Sequence, residues 1–262
     1  IDLQRERLLG HLADPADRLL GGRVLDLAAK AYEENQPQAT GFLDPRERDV
    51  AEAILRAVHG VRVLAAGGYP GAERRRLVIY PDYFPEEAVE VPLAAVEVSG
   101  PGVAELRHGD VLGAILGTGV ARDQVGDLVL AGDRWQALIT PAVVEFLCTH
   151  WRRAGRVEVQ VRPIDPEQVE APAARVKEVR ATVASPRLDA VASVGFGTSR
   201  TRMARDIRAE RVKLNWKVVT DPAAPVREGD VISVRGRGRA VVERLSGVTR
   251  KGRTGITLKR FF

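Results

Sequence analysis

Residues 187–239 read RLDAVASVGFGTSRTRMARDIRAERVKLNWKVVTDPAAPVREGDVISVRGRGR. The grouping of apolar, basic and turn-forming residues in this stretch predicts a small α+β unit. Gly195-Phe196-Gly197 interrupts an apolar run that predicts a helix from about Leu188 to Val194, because neighbouring glycines break helical periodicity. Thr198 or Ser199 can cap a second helix over about 199–209, since a hydroxyl there accepts a bond from a first-turn amide that has no partner inside the helix. At about 100° per residue, Met203, Ala204 and Ile207 of this helix share one arc, and Arg202, Arg205 and Arg208 form the opposite stripe. One face packs; the other is a rail of charge. Val212-Lys213-Leu214 and Trp216 to Val219 flank Asn215 as short strands, a turn-rich Asp221-Pro222-Ala223-Ala224-Pro225 follows, and Gly229-Asp230 leads into a strand from Val231 to Arg235.

Charge sets this region apart from the rest of the chain. Arg175 to Phe262 carries 21 Lys+Arg against 8 Asp+Glu, a formal +13, and the preceding residues carry 19 against 27, or −8. The whole-chain value of +5 therefore conceals a basic module joined to an acidic body. Such a module is an electrostatic footprint for polyphosphate, because each cation that neutralises a phosphate releases condensed counterion.

Arg187-Leu188-Asp189, Gly195-Phe196, Ser199-Arg200, Arg211-Val212, Leu214-Asn215, Val226, Gly229-Asp230-Val231-Ile232 and Val234 resemble, in order and spacing, the RNA-binding domain named after ribosomal small-subunit protein four. The resemblance implies a helix pair laid against structured RNA. The candidate RNA-binding residues are Arg187, Ser199, Arg200, Arg202, Arg205, Arg208, Arg211, Lys213, Asn215, Lys217, Arg235, Arg237 and Arg239, contacting phosphates and grooves by shape more than by sequence. Two positions depart from the pattern: Glu210 replaces the usual glycine at the end of the second helix, and Trp216 replaces a common glycine after Asn215. Glutamate is costlier than glycine in a left-handed terminating position, so a differently built helix end is expected.

Upstream, Val91 to Val98, a helix at about 110–116, strands near 125–130 and 135–139, a helix from Pro141 to His150 and a strand at 157–161 give the order βαββαβ. That is the split arrangement of ferredoxin-like domains, including the RNA-recognition type. Gly132-Asp133 supports the central hairpin. Its central strands offer only Trp135 for base stacking, so RNA contact and a purely structural role both stay open. The N-terminal part is helical over Leu19 to Tyr32 and again after Asp44-Pro45, where Asp44 is the expected cap. Gly67-Gly68-Tyr69-Pro70-Gly71 then leads to Arg74-Arg75-Arg76 and a strand at 77–80. The phosphate-loop spacing and its lysine are missing, so the three arginines are either a second RNA contact or a solvated turn. The expected organisation is α+β throughout: an N-terminal region over 1–88, a ferredoxin-like domain over 89–172 and the RNA-binding domain over 183–262, with two helices and a short-stranded sheet.

Gly41-Phe42-Leu43-Asp44-Pro45-Arg46-Glu47, the 67–76 segment, LRHGDVLGAILGTG at 106–119 and the basic C-terminal module together resemble the YlmH-type family, known in photosynthetic organisms as the photosystem II protein bearing this domain. The resemblance implies a non-enzymatic protein that binds ribosomal RNA or tRNA, associates with the large ribosomal subunit and serves translation quality control, or photosystem biogenesis in a photosynthetic organism. The alternative is an RNA-modifying enzyme that holds its substrate with the same module. Against it, no synthetase nucleotide signature, pseudouridine-synthase pocket or glycine-rich methyltransferase loop is found.

No cofactor or metal is expected: His11, His59, His108 and His150 lack metal spacing, and Cys148 cannot form an internal disulfide. No apolar run approaches eighteen residues, so no membrane helix is expected. Location in the cytoplasm is expected, or in an organellar stroma if a leader preceded Ile1.

Overall fold

A computed structural model describes residues 2–171, 176–248 and 252–261; the expected segment ends at 1, 172 and 262 lie outside these. Two compact units emerge, Ile1–Pro172 and Ala173–Phe262. The expected division at 88/89 falls inside the first. Among the described residues no helix is long and apolar enough to cross a membrane.

The first unit opens with α1 (Asp2–Leu9), α2 (Pro15–Glu34), β1 (Gln38–Leu43), α3 (Pro45–Leu55), β2 (Val61–Ala66) and β3 (Arg75–Pro81). The strands form an antiparallel sheet in the order β1-β3-β2. Val24, Ala28 and Ala31 of α2 meet Ala51 and Leu55 of α3 and Leu77 and Ile79 of β3 in one buried cluster. Asp44 caps α3 as its sequence predicts: Glu47 N–H donates to Asp44 Oδ1 at 2.8 Å and Asp44 N–H donates to Glu47 Oε2 at 2.8 Å.

There follow β4 (Ala94–Ser99), α4 (His108–Gly117), β5 (Val125–Ala131), β6 (Arg134–Ile139), α5 (Val144–His150), the hairpin β7 (Arg153–Ala154) and β8 (Val157–Glu158), and β9 (Gln160–Ile164). The sheet order β5-β6-β4-β9, antiparallel at every junction, is that of a ferredoxin-like domain. Val96, Val98, Trp135, Ala137 and Ile139 face α4 and α5, packing with Val111, Ile115 and Leu147. Ala95, Val129 and Leu138 point the other way and pack with Phe42, Tyr69 and Val169. The approach is close at Gly68, where φ is +95° and a Cβ would fall 2.4 Å from Leu138 Cδ2.

The second unit contains β10 (Val176–Val183), α6 (Leu188–Gly195), α7 (Arg200–Arg208), β11 (Val212–Leu214), β12 (Lys217–Val218), β13 (Val231–Val234), β14 (Gly238–Val248) and β15 (Thr254–Phe261). One antiparallel sheet holds all six strands in the order β10-β15-β14-β13-β11-β12. The short strands β11 to β13 are those read from the sequence, and the longer β10, β14 and β15 extend them. Leu188, Val191, Met203 and Ile207 from the helices close over Ile232, Ala240, Val242, Ile256 and Leu258 of the sheet.

The end of α7 corrects the expectation drawn from Glu210. Glu210 N–H donates to Ile207 O at 3.0 Å and Arg211 N–H to Asp206 O at 3.0 Å, the paired bonds of a Schellman termination. Glu210 itself occupies the left-handed position at φ 57°. The helix therefore ends as it would with glycine there, and the side chain bears the strain. Glu210→Gly is expected to stabilise the second unit by about 1 kcal/mol, read as a higher denaturation midpoint at unchanged cooperativity.

Candidate nucleic-acid interface

Arg202, Arg205 and Arg208 lie exposed along the outer side of α7, and Met203 and Ile207 on its inner side are fully buried. Among the described residues these three arginines form no ion pair, so their charge faces solvent unneutralised. Ser199, expected among the RNA contacts, is exposed and also caps this helix, accepting from Arg202 N–H at 3.2 Å.

Four further candidates are gathered at the two ends of α7 by carboxylates whose pairing the sequence reading did not assign. Asp189, in the first turn of α6, is 5% exposed and accepts from Arg200 Nε at 3.0 Å and from Arg187 Nε and Nη2 at 3.4 Å each. Asp206, on the inner face of α7, is 8% exposed and pairs with Arg211 Nη1 at 3.5 Å and Arg237 Nη2 at 3.8 Å. Their signal was present: Asp206 stands three residues after Met203 and one before Ile207, an acid within an apolar arc of a helix whose other face is basic.

Lys213 on β11 and Arg235 after β13 are exposed, Lys217 is exposed on β12, and the Arg239 guanidinium sits 5.0 Å from the centre of the Phe261 ring. Asn215, expected among the RNA contacts, also has a local role. Its amide donates to Asp230 Oδ1 at 2.8 Å and its carbonyl oxygen accepts from Val231 N–H at 2.9 Å. With Leu214 opposite Lys217 and positive φ at both Asn215 (49°) and Trp216 (63°), the β11–β12 hairpin closes through a two-residue primed turn. Asn215 thus builds the loop with one amide N–H and one oxygen lone pair, and its side chain is exposed.

Of Arg74, Arg75 and Arg76, the last fits neither reading of the segment, and the first two are partly exposed. Arg76 is buried, its Nε donating to Thr40 O at 2.7 Å and its Nη1 to Pro92 O, and burial lowers the affinity of its guanidinium for the proton. Arg74 bonds Phe42 O through Nη2 at 2.6 Å and Val125 O through Nε at 3.2 Å, and Arg75 Nε bonds Ala72 O at 3.0 Å. Asp127 of β5 accepts from Tyr69 Oη and Glu73 N–H, both at 2.7 Å, and from Arg74 N–H at 3.0 Å. The arginines and Asp127 fasten the glycine-rich segment to β1 and β5; burial removes Arg76 from any RNA surface.

The ferredoxin-like sheet is likewise altered from its RNA-recognition counterpart. Its second face, where such domains stack bases, is roofed by Phe42, Tyr69 and Val169, and Trp135 lies on the helix side, 5% exposed, edge-on to His108. Open on that face is a pair not singled out by sequence, Arg134 and Arg162, held by buried Glu97 at 3.1 and 2.7 Å. Burial alone would raise Glu97, but its bonds to Arg162 and Arg134 prevail and hold the carboxyl below its usual range. Cys148 is half-buried and burial pushes its thiol up, away from the reactive thiolate. Among the described residues no cluster of three or more His, Cys, Asp or Glu could hold a metal.

Three family models match the chain: the YlmH N-terminal region over 21–84, the putative RNA-binding domain in YlmH over 86–168, and the S4 domain over 186–232. The ribosome-associated protein quality control protein P2 of Bacillus subtilis is 34% identical over 248 residues, 93% of this chain and 95% of that protein. The small ribosomal subunit protein uS4 of Desulfotalea psychrophila is 44% identical over 70 residues, covering 25% of this chain and 33% of that protein. Among solved structures, the cell division protein ylmH of Streptococcus pneumoniae aligns with a TM-score of 0.52 at 21% identity, over 60% of this chain and 96% of that one, a likeness of fold.

Proposed function

The chain belongs to the YlmH family, and from that membership we propose that it is a non-catalytic RNA-binding protein of the ribosome. Its basic C-terminal unit grips structured RNA, and residues 1–88 and 89–172 act as two further modules. The observation that carries this reading is the unneutralised row Arg202, Arg205 and Arg208 on a unit of formal charge +13. Arg187, Arg200, Arg211, Lys213, Lys217, Arg235, Arg237 and Arg239 surround it as additional phosphate contacts. Like charges this concentrated oppose compaction unless a polyanion offsets them. The name of the Bacillus relative favours translation quality control over photosystem biogenesis as the setting, and ribosomal RNA of the large subunit, with tRNA beside it, as the ligand. The protein works wherever those ribosomes are, in the cytoplasm or an organellar stroma.

Full-length protein titrated with large-subunit ribosomal RNA should show a log–log salt slope of several units between about 50 and 200 mM salt, and it should co-sediment with large subunits. A salt-insensitive binding curve would remove the electrostatic basis. Absence from the large-subunit fraction would sink the ribosomal assignment while leaving RNA binding to be judged on the titration.

A further inference from the structure

Asp189 and Asp206 sit beneath the arginines to which the function above is assigned, and this inference rests on that reading. We propose that both are positioning residues, each holding two guanidiniums in place so that the phosphate-binding surface is assembled before RNA arrives.

The geometry spans four segments of chain. Asp189 joins Arg187, which precedes α6, to Arg200, the first residue of α7, and Asp206 joins Arg211, just past α7, to Arg237 in the turn between β13 and β14. The two clamps therefore bracket the free row of Arg202, Arg205 and Arg208. Each clamped arginine keeps part of its side chain in solvent: 40% for Arg187, 51% for Arg200, 52% for Arg211 and 23% for Arg237. A guanidinium has five N–H donors; Asp189 takes two from Arg187 and one from Arg200, whereas Asp206 holds Arg211 and Arg237 as ion pairs at 3.5 and 3.8 Å. The rest are available to phosphate.

Stability is a weak reason for such an arrangement, because taking a carboxylate out of water offsets most of what its ion pairs return. Binding is a better one. A mobile arginine loses rotamer freedom when it meets a phosphate, a cost of a factor of roughly 2 to 12 in affinity per side chain; an arginine already held has lost it beforehand.

Charge and position make opposite predictions, which separates them cleanly. Asp206→Asn adds one positive charge to an already basic surface, so bulk attraction alone would tighten RNA binding. Positioning requires the reverse: full-length Asp206→Asn should bind ribosomal RNA about tenfold more weakly at matched salt. The loss should disappear in an Arg211→Ala/Arg237→Ala background, where the clamp has nothing left to hold; a merely structural defect would persist there. Asp189→Asn, tested against Arg187→Ala/Arg200→Ala, provides the same comparison at the other clamp should the Asp206 variant fail to fold. Equal or tighter binding by the folded Asn variants, or a loss undiminished in the arginine-free backgrounds, would overturn the proposal. Absence of RNA binding by the parent protein would instead remove the functional reading beneath it.

Discussion

Replacing Arg202, Arg205 and Arg208 together by alanine is expected to weaken binding of ribosomal RNA about ten- to a hundredfold at near-physiological salt, and to lower the salt slope by about two to three units. The loss follows from the number of phosphates released, since each such cation accounts for about one unit of slope. Stability should scarcely move. All three side chains are exposed and form no ion pair among the described residues, alanine is the better helix former, and surface changes of this kind stay within about 0.5 kcal/mol. Arg200 is deliberately left in place, because it lies against buried Asp189 and its removal would combine a folding effect with a binding effect. RNA titration and thermal melting of the same preparation make the check. Parent-like binding by a folded triple variant would mean that this side of α7 looks into solvent and that another face meets RNA.

Arg76→Glu should do the converse, damaging the fold without touching an RNA contact. It places an unpaired carboxylate where a guanidinium now serves the carbonyls of Thr40 and Pro92, so two acceptors face an acceptor in a desolvated place. Breaking a buried charged contact in this manner costs about 3 to 5 kcal/mol, enough to unfold many domains at 37 °C. Chemical denaturation should show the first unit's transition falling to much lower denaturant. An unchanged transition would show that Arg76 reaches solvent and would return it to the candidate RNA contacts. A variant reversing all three arginines would lose ribosome association through misfolding, and should not be read as mapping a contact.

What the sequence revealed and what it hid have physical reasons. Asp44, Ser199 and the Met203–Ile207 arc were legible because capping and amphipathic spacing are local, set within one helical turn. The ferredoxin-like order was legible because its strands and helices alternate cleanly between residues 91 and 161. Arg76 was misjudged because three adjacent arginines normally mean solvent, and only the fold brings Thr40 and Pro92 around one of them. The pairing of Asp189 and Asp206 went unread in part for the same reason: one partner of each, Arg200 and Arg237, is 11 and 31 residues away. The roof over the ferredoxin-like sheet comes from Phe42 and Tyr69, on elements that the sequence places in a different segment. Strand β10 escaped notice because its residues alternate weakly and its partner, β15, lies more than seventy residues later.

That pairing has a consequence for how the C-terminal unit can be handled as a piece of chain. β10 and β15 run antiparallel with Val176 directly opposite Phe261, so entry and exit stand on adjacent strands, one hydrogen-bonding step apart. A stretch that enters and leaves at a single point is portable: it can be lodged in a surface loop of another protein, or have its ends spliced and be reopened at Gly236, where φ is +76° in an exposed turn. It also sets where the module must be cut. Beginning at Val183 would strip away a whole edge strand, whereas beginning before Val176 keeps the sheet closed along its outer seam.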